Sequence, residues 1–393
     1  MHSIGVAQRR ARLATRHHLT PASAAATPVI AAAEMVGLHG TDPASVYLAA
    51  LARTDGLTVA DLEAALYEQR TLLRLLGMRR TMFVVPLDLA GVILAACTRG
   101  IGERERRRVI GFFEEAAVAP DVEAWLSELE EATLAALDAV GSATAVELTK
   151  WVPGLARQIR VGIGKRWEGP IGVSTRLLFL LAAEGRIVRG RPRGSWLSSQ
   201  YRWARLDRWI RGGLDEWETS AARAELVRRW LAAFGPGTEA DLRWWSGLTL
   251  GQLRQALAAV DHAEVNLDGA TGIVLAGDLG PMPEPDPWVA LLPALDSTVM
   301  GWTERSWYLG AHRTRLFDTN GNAGPTIWCD GRVVGGWIQR PDGEIVTRLL
   351  EDVGGDAEVA IEARVGEVRA WLGAVRVIPR FRTPLEQELI ASA

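Results

Sequence analysis

Two side chains able to do chemistry lie in the short segment Gly37-Leu38-His39-Gly40-Thr41-Asp42-Pro43. The imidazole of His39 and the hydroxyl of Thr41 can each donate or accept a hydrogen bond, so both can hold a water or a ligand. Asp42 and Pro43 have a plain structural explanation, because Asp is a good N-cap and Pro suits the first position of a helix. The segment predicts a polar turn that faces a cleft, with an ordinary surface loop as the alternative for His39 and Thr41.

Signatures of other catalytic classes are missing from the sequence. Gly162-Ile-Gly164-Lys165 lacks the spacing of a phosphate-binding loop, and neither a Gly-x-Ser-x-Gly elbow nor a His-Glu-x-x-His metal motif occurs. Two cysteines, Cys97 and Cys329, are too few for an iron–sulfur cluster held by four thiolates, and a structural zinc site is not expected. The sequence thus predicts no metal, no nucleotide and no other cofactor.

The charge of the chain is uneven rather than large. The 393 residues carry a formal net charge of −3, but arginines cluster at 104–108, 186–193 and 202–211. A local basic face matters more for nucleic-acid binding than the total charge. No run approaches the roughly 18 apolar residues of a membrane span. The Arg- and His-rich N-terminus lacks the features of a secretory signal, which favours the cytoplasm.

A Thr-x-x-acid-Leu pattern recurs at Thr58, Thr144 and Thr238, and each copy is typical of a capping box that opens a short helix. Around the second copy, the pattern predicts helices and then a basic hairpin, over 121–138, 145–152, 171–184 and 185–194. Three helices followed by a basic hairpin is the order of a winged helix, whose third helix can enter the major groove of DNA. The third copy repeats the order, with a hairpin turn at Asp268-Gly269.

The first copy fits less well, because its capped helix lies just before the predicted wing over 72–85. After a proline-rich linker over 280–287, the chain changes to short strands and one helix over 357–372. The strands are predicted over 289–295, 306–309, 326–329, 332–339 and 345–350. We therefore predict an α+β fold of three tandem winged-helix units followed by a small C-terminal β-barrel domain, with boundaries at 1–115, 116–213, 214–285 and 286–393.

Arginines on the predicted wings are candidates for contacts with DNA phosphates. They are Arg79 and Arg80 on the first wing and Arg189, Arg191 and Arg193 on the second. Their clustering with glycine and proline in hairpins favours phosphate contact, and solvated surface charge is the alternative. Most of the sixteen tryptophans fall at apolar positions, which predicts core packing rather than stacking on bases.

Long strings in the sequence resemble those of the AlkZ/YcaQ-like winged-helix DNA glycosylases. The most specific are Leu291-Leu292-Pro293 with Asp296, Val299-Met300-Gly301-Trp302, His312-Arg313, Leu316-Phe317-Asp318-Thr319-Asn320-Gly321-Asn322-Ala323-Gly324-Pro325-Thr326 and Asp330-Gly331-Arg332-Val333-Val334-Gly335-Gly336-Trp337. The N-terminal half matches more loosely, through Gly37-Leu38, Asp42-Pro43, Leu66-Tyr67-Glu68 and Met78-Arg79 with Thr81. The resemblance spans nearly the whole chain.

The resemblance implies a concave DNA-binding surface built from three winged helices and a β-barrel. It implies an enzyme that excises N7-alkylguanine and related cationic adducts, including bulky ones left by genotoxic natural products. It also makes four C-terminal residues candidates for DNA contact, namely His312, Arg313, Asn320 and Arg340. The catalytic turn of the family carries Gln-x-Gln or Gln-x-Asp, and this chain departs from it with His39 and Thr41.

The implied chemistry tolerates that departure. A cationic N7-alkylguanine is already a good leaving group, so the enzyme has to position a water and stabilise the developing sugar cation. Neutral His39 could accept a proton from the water, and Thr41 could orient it. A protonated His39 would repel both the cationic base and the sugar cation. We therefore expect activity to fail at acid pH, below a typical histidine pKa.

The sequence as a whole predicts a monofunctional DNA glycosylase that acts as a monomer on double-stranded DNA with alkylated bases, in base excision repair or in self-resistance to a genotoxin. Lys150 and Lys165 have no motif of a Schiff-base nucleophile around them. The rival prediction is a non-enzymatic DNA-binding protein or transcriptional regulator, which the change at His39 and Thr41 favours. A third alternative is a protein that sequesters a genotoxic small molecule in the groove.

Overall fold

The computed structural model describes residues 2–166, 168–379 and 382–391. The fold is of the mixed α+β class, as predicted, with helices and small, mostly antiparallel sheets alternating along the chain. In the part of the chain that the structure describes, none of the helices has a hydrophobic stretch that would carry it across a bilayer.

The first stretch of the chain, up to residue 115, is mainly helical and carries one sheet. Its helices are α1 (Val6–Arg16), α2 (Pro28–Glu34), α3 (Pro43–Leu51), α4 (Val59–Glu63), α5 (Leu87–Ile93) and α6 (Arg99–Glu115). Its strands are β1 (His2–Ser3), β2 (Leu38–His39), β3 (Leu72–Leu76) and β4 (Met82–Pro86). Strand β4 lies between β2 and β3 in an antiparallel sheet, which places the predicted polar turn at the end of β2.

The second stretch follows the predicted order of helices and hairpin. It contains α7 (Val122–Val140), α8 (Ala145–Trp151), α9 (Val173–Ala183) and α10 (Leu206–Trp209), with β5 (Ala143–Thr144), β6 (Gln158–Val161), β7 (Gly169–Gly172), β8 (Ile187–Pro192) and β9 (Tyr201–Arg205). The basic hairpin is formed by β8 and β9, and β5 pairs with β9 at its edge. The separate β6–β7 hairpin before α9 was not predicted.

The third stretch is the most regular. Helices α11 (Thr219–Phe234), α12 (Glu239–Ser246) and α13 (Leu250–Ala258) precede strands β10 (His262–Leu267) and β11 (Ala270–Leu275). Asp268 and Gly269 join the strands with φ of 50° and 99°, which confirms the predicted two-residue turn. The N-terminal strand β1 adds to this sheet, parallel to β10, and so ties the beginning of the chain to the third stretch.

The C-terminal region contains one antiparallel sheet in the order β12 (Val289–Leu292), β13 (Thr326–Cys329), β14 (Arg332–Gln339) and β15 (Ile345–Leu349). Helices α14 (Ser306–Leu309), α15 (Arg313–Leu316), α16 (Gly355–Leu372) and α17 (Pro384–Ala391) accompany it. Among the described residues this sheet is an open meander, and closure into a barrel is not seen.

The prediction of a strand over Ser306–Leu309 was wrong, because the segment is helix α14. Glu304 accepts hydrogen bonds from the backbone N–H and the hydroxyl of Ser306, which starts the helical turn. Trp307, Tyr308 and Leu309 are all buried, so the alternation of a half-buried strand is absent. The two aromatic residues of this segment are buried within a short helix instead.

All three predicted capping boxes form. The hydroxyls of Thr58, Thr144 and Thr238 accept from the backbone N–H three residues later, and the acid at that position accepts from the backbone of the threonine. Among the described residues the hydrophobic core consists of two large clusters and two small ones. The largest joins the first, third and C-terminal stretches with part of the second, and the next runs from Val109 on α6 to Trp203 on β9. The cavity described next lies where the first, third and C-terminal stretches meet.

Candidate functional site

His39 sits at the end of β2, directly opposite Phe83 of β4, and the two rings meet edge to face at 5.3 Å. The chain can enter β2 only through a glycine: Gly37 has φ of 101°, and a Cβ there would lie 2.7 Å from the side chain of Val85. His39 is only 4% exposed. The sheet therefore fixes the imidazole in a buried position.

The polar turn after His39 is fastened from both sides. The backbone N–H of Gly40 donates to the carbonyl of Met82 at 2.7 Å, and buried Arg74 donates to the carbonyl of Gly40 at 2.6 Å. Asp42 is the N-cap residue of α3, as predicted, and its carboxylate accepts from the Ser45 hydroxyl at 2.9 Å. Thr41 is thus held between two anchored residues rather than in a loose loop.

The C-terminal region closes over this turn. The backbone N–H of His39 donates to the Ser297 hydroxyl at 3.1 Å, and that hydroxyl donates to the carbonyl of Gly37 at 2.9 Å. The neighbouring Asp296 accepts two hydrogen bonds from Arg53, at 2.8 and 2.9 Å, in an ion pair whose side chains are both 0% exposed. The family-like sequence around residue 296 therefore holds the C-terminal region against the polar turn.

Burial keeps the imidazole of His39 neutral. Loss of solvation and the cation of Arg79 lower the pKa of His39 to about 3, and the weaker attraction of Asp296 opposes them. The sequence led us to expect acid inactivation below a typical histidine pKa. Because the pKa of His39 is about 3, we expect its protonation to stop the reaction only at about pH 3 and below.

His39 and Thr41 line one cavity of about 350 Å³, a size found among small-molecule sites. Within the described part of the chain, His39 Nδ1 and Thr41 Oγ1 are buried and have no hydrogen-bond partner. Buried polar atoms without a partner are costly, so these two atoms are suited to bind a water or a substrate. The remaining lining residues are Arg79, Thr81, Trp244, Leu295, Met300, Thr303, Arg305, Arg313, Asn320, Gly321 and Asn322.

Three of the predicted DNA-contact residues lie in this cavity with His39 and Thr41: Arg79, Arg313 and Asn320. Arg79 comes from the β3–β4 turn, Arg313 begins α15, and Asn320 lies in the loop after that helix. Two further lining residues, Trp244 on α12 and Arg305 before α14, were not predicted. Trp244 stands beside the fully packed Trp245, and only the amphipathic position on the helix distinguishes them. No sequence signal marks Arg305.

Arg189 and Arg193 line a second groove, of about 540 Å³, which shares Thr41 with the cavity of His39. Arg189 is half-buried against the rings of Trp203 and Tyr201, at 5.2 and 5.7 Å. Burial, and secondarily the cation of Arg74, lower the pKa of Arg189 to about 10. This groove extends from the polar turn towards the hairpin of the second stretch.

The other predicted contact residues are paired within the protein. Arg80 forms an ion pair with Glu105 at 2.8 Å, and Arg191 pairs with Glu63 and Glu68 at 2.7 and 3.2 Å. In the C-terminal region His312 lies 3.3 Å from Glu351, and Arg340 lies 3.0 Å from Glu344. None of these four side chains lines the cavity of His39 in the described part of the chain.

Within residues 2–166, 168–379 and 382–391, no group of three His, Cys, Asp or Glu side chains is arranged to hold a metal ion. Both cysteines are free thiols, and burial raises the pKa of the Cys97 thiol to about 12. The cavity chemistry therefore depends on an imidazole, a hydroxyl, amides and guanidinium groups.

Comparisons with known proteins give one family and one similar fold. A family model described as DNA glycosylase AlkZ-like matches residues 32–371. Among solved structures, the Streptomyces sahachiroi DNA glycosylase AlkZ superposes with a TM-score of 0.72, covering 95% of this chain and 98% of that chain at 20% sequence identity. No curated protein sequence matches the chain.

Proposed function

Since the chain belongs to the AlkZ-like DNA glycosylase family, we propose that it hydrolyses the N-glycosidic bond of cationic, N7-alkylated guanine in double-stranded DNA. Membership of the family makes the chain a DNA glycosylase and DNA its substrate. The proposal adds the lesion and the residues that act on it. One observation carries it: His39 Nδ1 and Thr41 Oγ1 are buried without partners beside one cavity.

The proposed reaction needs little acid catalysis. When the glycosidic bond of an N7-alkylguanine breaks, its electron pair neutralises the positive charge of the base, which leaves as a neutral molecule. The sugar becomes an oxocarbenium-like cation, which a water attacks at C1′, and one proton of that water is released. The task of the protein is to hold the water in line with C1′ and to keep cations away from the sugar.

His39 and Thr41 together suit that task. A neutral imidazole can accept a hydrogen bond from the water, and the Thr41 hydroxyl can fix its orientation. Because the pKa of His39 is about 3, it is a weak base and does not remove the proton before attack. The proton is lost after the water has added to the sugar cation, when it is far more acidic. His39 thus positions the water and stays uncharged throughout.

The reaction we propose is monofunctional. A glycosylase that also cleaves the strand forms a Schiff base through an amine. In the described structure, no lysine lines the cavity of His39, and Lys150 lies in the last turn of α8 in the second stretch. Hydrolysis by water is therefore the step that the cavity supports.

We further propose that three small sheets and their helices act as three winged-helix units along the DNA, and that these units and the C-terminal domain have the boundaries predicted from the sequence. The groove beside Thr41 supports this, because Arg176 and Thr175 of α9 and Arg189 and Arg193 of the hairpin line it together. Phosphates could lie along these arginines. The groove also leaves room for bulky genotoxin adducts. Three units in one chain make a monomer sufficient, and repair of cellular DNA would place it in the cytoplasm.

The experiment that tests the function is strand cleavage at one lesion. A duplex with a single N7-methylguanine is incubated with the protein, and abasic sites are then converted to breaks with mild base. We expect a break at the lesion and none in the unmodified duplex. If neither this duplex nor one with a bulky N7 adduct is cleaved, the proposed lesion class is wrong.

A further inference from the structure

The cavity of His39 is also lined by an unusual stack of side chains. The indole of Trp244 is contacted by two guanidinium groups, that of Arg79 at 3.8 Å from the ring centre and that of Arg305 at 4.7 Å. Arg79 comes from the β3–β4 turn, Trp244 from α12 and Arg305 from the loop before α14. Three distant parts of the chain thus bring two cations onto one aromatic ring.

The protein does not pair these two cations with a carboxylate, although Asp241 attracts Arg305 from a distance. Among the described residues neither Arg79 nor Arg305 forms an ion pair, and Arg305 is 5% exposed with its Nε and one terminal nitrogen lacking hydrogen-bond partners. Burial lowers the pKa of both guanidinium groups, that of Arg79 to about 10, and Arg305 adds to the effect on Arg79. A buried or half-buried cation without an ion-pair partner costs stability, so this pair is suited to bind a ligand.

The chemistry of the cavity selects an anion as that ligand. Arg313 supplies a third guanidinium, and no Asp or Glu side chain of the described chain lines the cavity. An alkylated base is itself cationic and would be repelled from this wall. The anion that DNA offers at every nucleotide is the backbone phosphodiester, and a planar guanidinium binds two of its oxygens at once.

We propose that Arg79 and Arg305, held on the ring of Trp244, form a binding site for a backbone phosphate of the DNA beside the nucleotide presented to His39. Phosphate binding needs only that DNA is the substrate; the placement of the damaged nucleotide at His39 rests on the proposed function. The bound phosphate neutralises the two cations closest to the reaction. It therefore protects the sugar cation from repulsion.

The fold prepares both arginines for this role. Arg79 and Arg80 have left-handed backbone conformations, with φ of 53° and 62°, which is strained for residues other than glycine and is frequent at functional sites. The carboxylate of Asp241 accepts from the backbone N–H groups of Thr303 and Glu304, at 2.9 and 3.0 Å, and so fixes the loop that carries Arg305. Neither guanidinium has to be reorganised when the phosphate binds.

The test is the salt dependence of binding to an undamaged duplex. Each phosphate contact contributes about 0.9 to the slope of log affinity against log salt. Because both arginines neutralise the same phosphate, we expect the double variant Arg79→Ala/Arg305→Met to lower the slope by about 0.9 and each single variant to lower it by less. Arg305→Lys should keep the slope, because it keeps the charge. Arg364→Ala is the control, since Arg364 pairs with Glu367 and lines a different cavity.

The stability of the Arg305→Met variant distinguishes phosphate binding by Arg305 from a merely structural role. Removal of a buried, unpaired cation should leave the midpoint of urea unfolding of Arg305→Met unchanged or higher, whereas a structural Arg305 would make the variant less stable. An unchanged slope in the folded double variant would overturn the proposal. Because the duplex is undamaged, lowered slopes without excision of N7-methylguanine would instead count against the proposed lesion alone.

Discussion

Arg53 and Arg305 are both buried arginines, yet their surroundings differ in kind. Arg53 donates to both carboxylate oxygens of Asp296 and to the Thr298 hydroxyl, all within 2.9 Å. Arg305 has no ion pair in the described structure and leaves two nitrogens without partners beside the cavity. The comparison teaches that partners, rather than burial or residue type, distinguish an arginine that holds the fold from one that awaits a ligand.

The largest expected effect comes from breaking the satisfied pair. Asp296→Asn leaves the guanidinium of Arg53 charged and buried beside a neutral amide, and the loss of one partner of a buried pair costs about 3–5 kcal/mol. We expect the free energy of unfolding, measured with urea, to fall by that amount. The segment over residues 295–300, which holds the polar turn, should loosen as well.

Glu344→Gln is the matched control for that variant. It removes the carboxylate partner of Arg340, whose pair lies near the surface and should contribute less than about 1 kcal/mol. If Asp296→Asn were no more destabilising than Glu344→Gln, the claim that the Arg53–Asp296 pair holds the fold together would be wrong.

The second prediction concerns His39, which is buried and neutral and, like Arg305, has an atom without a partner. Its pKa is about 3 in the folded chain and about 6.5 in the unfolded chain, so between these values only the unfolded chain binds the proton. Stability is therefore lost as the pH falls below 6.5. At pH 4.5 the loss due to His39 should be about 2–3 kcal/mol.

His39→Gln sharpens this prediction, because glutamine does not titrate. Urea unfolding at pH 7.5 and 4.5 should show a smaller loss for the variant than for the wild type. Buried His17, whose pKa is also lowered, keeps some acid sensitivity in both proteins. Equal losses would show that His39 is not held neutral by burial.

The third prediction compares arginines of the hairpin in the second stretch. Arg191 is paired with Glu63 and Glu68, whereas Arg189 has no ion pair among the described residues and lies in the groove. We expect Arg189→Ala to lower the salt slope of DNA binding by about 0.9 and Arg191→Ala to lower it by less. The reverse order would mean that the pairing of Arg191 opens when DNA binds.

The smallest expected effect is on the rate of excision between pH 8 and pH 5.5. His39 remains neutral across this range, so the enzymatic rate, corrected for spontaneous depurination, should be nearly flat. Single-turnover rates on the N7-methylguanine duplex measure this directly. A rate that halves near pH 6.5 would indicate an ordinary, solvated histidine, and a rate that rises with acid would contradict a neutral His39.

Local structure was largely predictable from the sequence. The capping boxes at Thr58, Thr144 and Thr238 and the turn at Asp268-Gly269 form as expected, because each depends on residues within three positions of one another. The segment Ser306–Leu309 was mispredicted, since its burial on all sides comes from tertiary packing.

The candidate site was only partly predictable. His39 and Thr41 stand out because two polar groups flank a glycine in a short turn. Trp244 and Arg305 do not stand out in the sequence. Their contact forms only when α12 and the loop before α14 meet at the β3–β4 turn. Likewise, the pKa of His39 depends on burial by a distant part of the chain, which the residue type alone does not reveal.

The most direct test of the account is the single-turnover excision of N7-methylguanine by the wild type, His39→Ala and His39→Gln under one set of conditions. We predict that His39→Ala lowers the rate by about 100-fold or more, because the water is no longer held in line. His39→Gln should stay within about tenfold of the wild type, because its amide can also accept a hydrogen bond from the water. Excision by His39→Ala at the wild-type rate would contradict the central claim that His39 positions the water.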